Sequence, residues 1–268
     1  MIIISGLLHQ EKQAVVVDPG EAQGVIDYLI AHEITLNTIW LTHTHYDHVD
    51  GVSALLQQFP QCVITGSGRW GAVNWPVTEG SRFAAFGQQV SVWHIPGHTE
   101  DHLAYILTDD ESRQHVFCGD TLFSAGCGRV LPGAMAKMFA SLQRLNSLSP
   151  DTLLYPAHEY TAANVRFAHA IEPDNEAIQK ASRQAETLPT LPVTLAHERA
   201  INPFLRISQP QVIAAAIQHG LPRQNANQPL AVFTCLREWK INSDSDADCS
   251  MLSLRQHNNE GINELKQG

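Results

Sequence analysis

The segment Thr42-His43-Thr44-His45-Tyr46-Asp47-His48 directly follows the strand-like run Thr38–Thr42 and puts four metal-ligand side chains within six residues. A tight loop at a strand end can turn alternate side chains inward. His43 and His45 can then serve one ion while Asp47 and His48 reach a second beside it. Imidazole and carboxylate ligands suit zinc, iron or manganese. The competing reading is a polar surface loop that happens to be rich in histidine, and four ligand types in the order H-x-H-x-D-H argue against it.

Outward from this loop, each further candidate stands just beyond a strand-like run. His98 lies in Pro96-Gly97-His98-Thr99 after Val90–Ile95, Asp120 in Cys118-Gly119-Asp120-Thr121 after Val116–Cys118, and His158 in Pro156-Ala157-His158-Glu159 after Leu153–Tyr155. Open α/β sheets gather function at the carboxyl ends of their strands, so these residues and the loop are expected on one rim. Each is weak alone, since a single His after a strand is more often structural and Asp120 could cap a helix or make a turn. Together they complete two sites: His43, His45, His98 and Asp120 for one ion, and Asp47, His48, His158 and Asp120 for the other. Asp120, with two oxygens, is the natural bridge. Two ions about 3.5–4 Å apart lower the pKa of a shared water to about 7 and so make a hydroxide for attack on a carbonyl or phosphoryl centre. Asp47 and Asp120 are therefore the candidate catalytic groups. His102 reads as a supporting or structural residue and His94 as a strand residue, while His9, His32, His115, His169, His197, His219 and His257 fall outside any ligand-like arrangement.

The rest of the chain reads as α/β followed by helix. Strand-like runs (Gln13–Asp18, Cys62–Thr65, Leu103–Leu107) alternate with helical ones (Gly24–His32, Gly51–Phe59, Met135–Leu145) up to about Asn164. Beyond it strand signals fade and helical stretches follow at Val165–Ala170, Asn175–Glu186 and Gln209–His219, punctuated by prolines. This places a catalytic domain at 1–164, a helical domain at 165–242 and a polar tail at 243–268 that reads as solvated or disordered. Met1–Ile4 reads as a strand, not a signal peptide. At 268 residues, with 44% apolar and 16% charged side chains, the chain can bury a core. The balance of Lys+Arg 17 against Asp+Glu 27 gives −10, which disfavours a nucleic-acid or anionic-membrane partner. No apolar run approaches the roughly 20 residues of a membrane span. Five dispersed cysteines without a C-x-x-C fit reduced thiols in a cytoplasmic protein, and the expectation is a monomer.

These motifs resemble the metallo-β-lactamase superfamily and, within it, the hydroxyacylglutathione hydrolases (glyoxalase II). The H-x-H-x-D-H loop carries the wider likeness. The narrower one rests on Val17-Asp18-Pro19-Gly20, Pro96-Gly97-His98-Thr99, Cys118–Arg129 (CGDTLFSAGCGR), Ala157-His158-Glu159-Tyr160-Thr161, Asn202-Pro203-Phe204-Leu205-Arg206 and Leu236-Arg237-Glu238-Trp239-Lys240. The resemblance implies an αββα sandwich with a helical domain behind it, two divalent ions (zinc first, iron or manganese as alternatives) and hydrolysis of S-D-lactoylglutathione to D-lactate and glutathione. By motif matching it implies Arg129, His158 and Tyr160 in the first domain and Arg237 and Lys240 in the second as glutathione contacts. Arginine pairs bidentately with carboxylates, which fits an anionic thioester on an acidic protein. Asp101 stands where the family commonly has Gly, and Asp tolerates a left-handed backbone better than most residues. The competing readings are a related superfamily hydrolase, an iron persulfide dioxygenase acting on a glutathione adduct, and a non-catalytic scaffold of the same fold.

Overall fold

The structure, a computed structural model, describes residues 6–187 and 189–243. The run expected at Met1–Ile4 and the tail beyond Ser243 lie outside the described residues. The chain divides into two compact units, one running to Arg206 and one from Ile207.

In the first unit, β1 (Gly6–Gln10), β2 (Gln13–Val17), β3 (Thr35–Trp40), β4 (Val63–Gly66) and β5 (Trp75–Pro76) form one sheet in sequence order. A second sheet begins with β6 (Arg82–Ala85), β7 (Gln88–His94), β8 (Leu103–Thr108) and β9 (Gln114–Gly119). After a short separate hairpin, β10 (Leu122–Phe123) with β11 (Gly126–Cys127), it is completed by β12 (Leu153–Pro156) and β13 (Val193–Thr194) in the order β13-β12-β9-β8-β7-β6. Because side chains alternate along a strand, β2 serves two cores at once. Val15 and Val17 pack with Trp40, Val90, Val92, Tyr105 and Phe117 between the sheets. Ala14 and Val16 face the other way, into a cluster with Leu29 of helix α1 (Gln23–Ala31), Ile39, Ile64 and the helical residues Val52 and Leu55. Trp40 stacks on Tyr105 at 5.1 Å between ring centres, and the Tyr105 hydroxyl donates to the Leu41 carbonyl at 2.9 Å.

The remaining helices of this unit are α2 (Tyr46–Val49), α3 (Val52–Gln58), α4 (Met135–Asn146), α5 (Thr161–Ile171), α6 (Glu176–Gln184) and α7 (Leu195–Ile201). The amphipathic α4 buries Met138, Leu142 and Leu145, and its Ser141 hydroxyl donates to the Pro96 carbonyl. The layering is thus helix, sheet, sheet, helix, the αββα sandwich the resemblance implies. Val165, Ala168, Ile178, Ala181 and Ile201 of α5–α7 close a further apolar cluster around Ala125. The second unit holds α8 (Pro210–Gln218), a 3-10 turn at Arg223–Asn225 and a helix α9 over 229–243.

Two details differ from the expectation. The strand at Gly6–Gln10 is not apparent from sequence; it pairs with β2 through a turn in which Glu11 takes φ +53. Asp101 is not among the residues with a left-handed backbone. Its carboxylate accepts from the Ser67 hydroxyl at 2.6 Å, so the position holds its loop by a hydrogen bond.

Candidate metal centre

Strand direction brings the distant candidates to one rim. β12 runs parallel to β9, and β7 and β9 are each antiparallel to β8, so β7, β9 and β12 all point the same way. His98, Asp120 and His158 follow their carboxyl ends by four, one and two residues.

The H-x-H-x-D-H loop meets them from β3 of the other sheet. Its backbone is fixed by Asp18, itself buried and at φ +49. Oδ1 of Asp18 accepts from the Thr42 N–H at 2.8 Å and Oδ2 from the Thr42 hydroxyl at 2.6 Å. The Gly51 N–H donates to the Pro19 carbonyl, and a Cβ at Gly51 would stand 2.6 Å from that oxygen, so only glycine lets the loop seat there.

Nε2 of His43 and Nε2 of His98 each lie 3.0 Å from Nδ1 of His45. Asp120 then divides its oxygens. Oδ2 faces Nε2 of His98 at 3.4 Å, while Oδ1 faces Nε2 of His48 at 3.4 Å and Nε2 of His158 at 3.3 Å. Asp47 Oδ2 is 3.5 Å from Nε2 of His158. The ligand atoms of His43, His45 and His98, of His43, His48 and Asp120, and of Asp47, His48 and His158 fall within 4.8 Å of one another in each group.

The surroundings fix which ring nitrogens keep lone pairs. The Arg129 carbonyl, which can only accept, sits 3.0 Å from Nδ1 of His98, so the proton is there and Nε2 is free to bind. The Asp120 N–H donates to Nε2 of His102 at 3.1 Å, and the His102 ring stacks on His43. Burial lowers the pKa of His43, helped by His102 and His48, and burial also lowers that of His98. Burial, then His98, takes His102 down to about 3. For His48 burial again disfavours the charge, but Asp18 at 3.1 Å and Asp120 outweigh it and push the pKa up to about 10. Asp120 is driven the other way; its burial penalty is outweighed by His158 and His48, and it stays ionised.

Both ring nitrogens of His48 and Oδ1 of Asp120 are buried without a hydrogen bond of acceptable geometry. Three imidazole nitrogens converge here, and about 3.3 Å is the edge of a tetrahedral set with zinc–nitrogen bonds of about 2.05 Å. The donor set fits a pair of divalent cations.

Of the other expected contacts, Tyr160 precedes α5 with its ring stacked on His158 at 4.9 Å and edge-on to Phe123. Burial, then Asp120 and Asp47, pushes its hydroxyl up to about 12, so it remains a hydrogen-bond donor. The Arg129 side chain is exposed. Arg237 and Lys240 lie on α9 of the second unit, one turn apart and buried. The supporting role of Asp18 went unread in the sequence, where its only signal was the Asp-Pro-Gly turn before the loop.

Sandwich and ligand rim together define a metallo-β-lactamase superfamily protein, and residues 3–158 match that superfamily's profile. Residues 159–243 match the profile described as hydroxyacylglutathione hydrolase C-terminus. The hydroxyacylglutathione hydrolase of Neisseria gonorrhoeae (strain NCCP11945) is 47% identical over 234 residues, covering 87% of this chain and 92% of its own. That of Vibrio cholerae serotype O1 (strain ATCC 39541 / Classical Ogawa 395 / O395) is 42% identical over 239 residues, covering 87% and 91%. The solved structure of TTHA1623 in a di-iron-bound form is similar at 28% identity and a TM-score of 0.54, over 75% of this chain and 94% of that one. The chain belongs to the hydroxyacylglutathione hydrolase family.

Proposed function

We propose that this chain hydrolyses S-D-lactoylglutathione to D-lactate and glutathione, the reaction its family membership supports. The observation that carries the reading is the division of Asp120, one oxygen toward His98 and the other toward His48 and His158. His43, His45, His98 and Asp120 would hold one divalent ion, and Asp47, His48, His158 and Asp120 the other. Bound there, the ions would supply Lewis acidity and bring water's pKa toward about 7.

The chain's own groups do the rest. Asp47, half-buried at the rim, orients the attacking water and accepts its hydrogen bond. The Tyr160 hydroxyl, held protonated, donates to the glutathione moiety. Arg129 offers a cation to its carboxylates, with Arg237 and Lys240 of the 165–242 region as further contacts on the strength of their motif. Water adds to the thioester carbonyl carbon and gives up its protons to solvent, the C–S bond breaks to leave the acyl group as a carboxylate, and the sulfur leaves as a thiolate that takes up a proton from solvent. A thiolate is a good enough leaving group that no strong acid has to stand beside it.

Zinc as the ion, a monomeric state and a cytoplasmic location belong to the same proposal. Among the described residues no helix is long and apolar enough to cross a membrane. The test is hydrolysis of S-D-lactoylglutathione, followed by loss of the thioester, with elemental analysis of the same preparation. Protein carrying two ions per chain that leaves the thioester intact would refute the reading.

A further inference from the structure

Asp120 and Arg129 are joined by the β10–β11 hairpin, and that hairpin is held by a group seventy residues further along the chain. Its turn puts Ala125 at φ +54, a left-handed backbone in which a Cβ crowds the following carbonyl oxygen. Glu198, on α7, is fully buried beneath the turn. Its Oε1 accepts from the Ser124 hydroxyl at 2.8 Å, and its Oε2 accepts from the Ala125 N–H at 2.8 Å and the Asn202 amide at 3.0 Å. The same Asn202 nitrogen reaches the carbonyls of Phe123 and Gly126 at 3.1 and 2.9 Å. Asn164 donates to the Ser124 carbonyl at 3.0 Å, so closely that a Cβ on Gly126 would stand 2.4 Å from its amide nitrogen.

The ends of this clamped stretch are parts of the metal centre. At one end is Asp120. At the other the Gly128 N–H donates to the Thr121 carbonyl, a Cβ on Gly128 would overlap the Asp120 carbonyl at 1.8 Å, and the Arg129 carbonyl accepts from Nδ1 of His98. The hairpin's Phe123 also meets the rings of His158 and Tyr160 edge-on. All three donors to Glu198 are neutral. A buried carboxylate without a cation is expensive, and here its return is a fixed turn.

We propose that Glu198 is a positioning residue for the metal centre: its carboxylate locks the 122–127 hairpin so that Asp120 and the Arg129 carbonyl stand in register with the histidines on either side. The proposal rests on the reading of those residues as metal ligands. Glu198→Ala leaves the Ala125 N–H and the Ser124 hydroxyl without their acceptor and the Asn202 amide with the Phe123 and Gly126 carbonyls alone, and so frees the turn. Glu198→Gln preserves the clamp, because its oxygen still accepts from Ala125 and Asn202 while the Ser124 hydroxyl turns to accept from the new amide.

The test compares the metal-loaded protein, both variants and Leu145→Ala, a cavity variant on α4, outside the hairpin sequence. Ion affinity is read by competition with a chromophoric chelator, and kcat and KM by thioester hydrolysis, all below each variant's Tm. Glu198→Ala should lose about 10-fold or more in affinity for at least one ion, as disturbing a group that supports a metal ligand does. Its kcat should fall more than its KM rises, Glu198→Gln should restore both, and Leu145→Ala should keep wild-type affinity. Should Glu198→Ala not fold, Ser124→Ala, which removes one of the three donors, should show a few-fold loss in the same direction. Wild-type affinity in Glu198→Ala, an equal loss in Leu145→Ala, or, with Glu198→Ala unfolded, an unchanged Ser124→Ala would overturn the assignment. Wild-type protein that holds no ion would sink the ligand reading along with it, whereas two tightly held ions in both wild type and Glu198→Ala would sink the role of Glu198 alone.

Discussion

Replacing Glu198 by Gln should change how stability depends on pH, by an amount the structure allows to be worked out. Burial raises the Glu198 carboxyl from its usual 4.5 to about 7, against the smaller opposing pull of hydrogen bonds from Ala125, Ser124 and Asn202. Between those two pH values the folded chain keeps a proton that the unfolded chain has released. The unfolded state therefore binds fewer protons, and stability falls as pH rises through the window. At about 1.36 kcal/mol per unit, the shift amounts to about 3 kcal/mol. That stability is present below pH 4.5 and gone above pH 7. Glutamine has no proton to lose. The unfolding free energy of wild type minus that of Glu198→Gln should thus fall by about 3 kcal/mol between the acid and alkaline ends of the window, since every other titrating group cancels in the difference. Urea unfolding of both proteins across the window, with the m-values compared to check that the unfolded states match, measures it. A difference that stays flat with pH, or that grows in favour of the wild type as pH rises, would show that the hydrogen bonds outweigh burial and that the carboxyl is ionised throughout.

Three further substitutions probe other positions. Asp18→Asn keeps one acceptor for the Thr42 N–H but puts an amide where an oxygen now faces Nδ1 of His48. Ion affinity measured by chelator competition should drop about 10- to 100-fold, and an unchanged value would mean that Asp18 serves the loop backbone only. Gly128→Ala would drive a methyl group into the Asp120 carbonyl and should cost at least about 3 kcal/mol, read as a lowered Tm; a wild-type Tm would show that the two segments part freely. Arg237→Ala should raise KM more than it lowers kcat in steady-state thioester hydrolysis, the pattern of a remote contact made equally in ground and transition states. The reverse split would argue against a purely binding role.

The H-x-H-x-D-H loop was legible because its signal is local: four ligand-type side chains within six residues, directly after a strand. His98, Asp120 and His158 were legible for a second reason. Each ends a strand-like run, and the three strands share a direction, so sequence position translates into place on a rim. What escaped was non-local or short. The strands β10 and β11 are two residues each, too brief for a period to register. The helix α7 has seven residues, announced only by Thr194, whose hydroxyl accepts from the His197 N–H as an N-cap. Glu198 within it gives no sign of its partners in the hairpin, which stand over seventy residues earlier and are a serine and an alanine backbone. A buried carboxylate satisfied by neutral donors leaves no charge pattern in the sequence.

Charge accounts for how an acidic protein can take an anionic substrate. The chain carries −10, so its distant field repels a glutathione thioester. Inside the centre the count reverses. A metal-ligating imidazole is neutral by necessity, since a doubly protonated ring has no lone pair to give. The burial that lowers the pKa values of His43 and His98 prepares that state, whereas His48, pushed up to about 10 beside Asp18 and Asp120, has to release a proton when an ion binds. The ligand set then contributes only the two negative charges of Asp47 and Asp120, fewer than two divalent cations bring. On this reading the loaded pocket is a cationic spot in a negative surface, with the exposed Arg129 adding to it at the rim. Such a spot acts at short range, within a Debye length of about 8–10 Å at ordinary ionic strength. Added salt should therefore weaken the repulsion from the body of the protein while leaving the attraction at the buried centre less screened. kcat/KM for the thioester should hold or rise between low and moderate salt, in contrast to the steep fall of an enzyme that steers its substrate with a long-range opposite charge. A steep fall would place the substrate-attracting charge on the surface and remove the buried centre as its source.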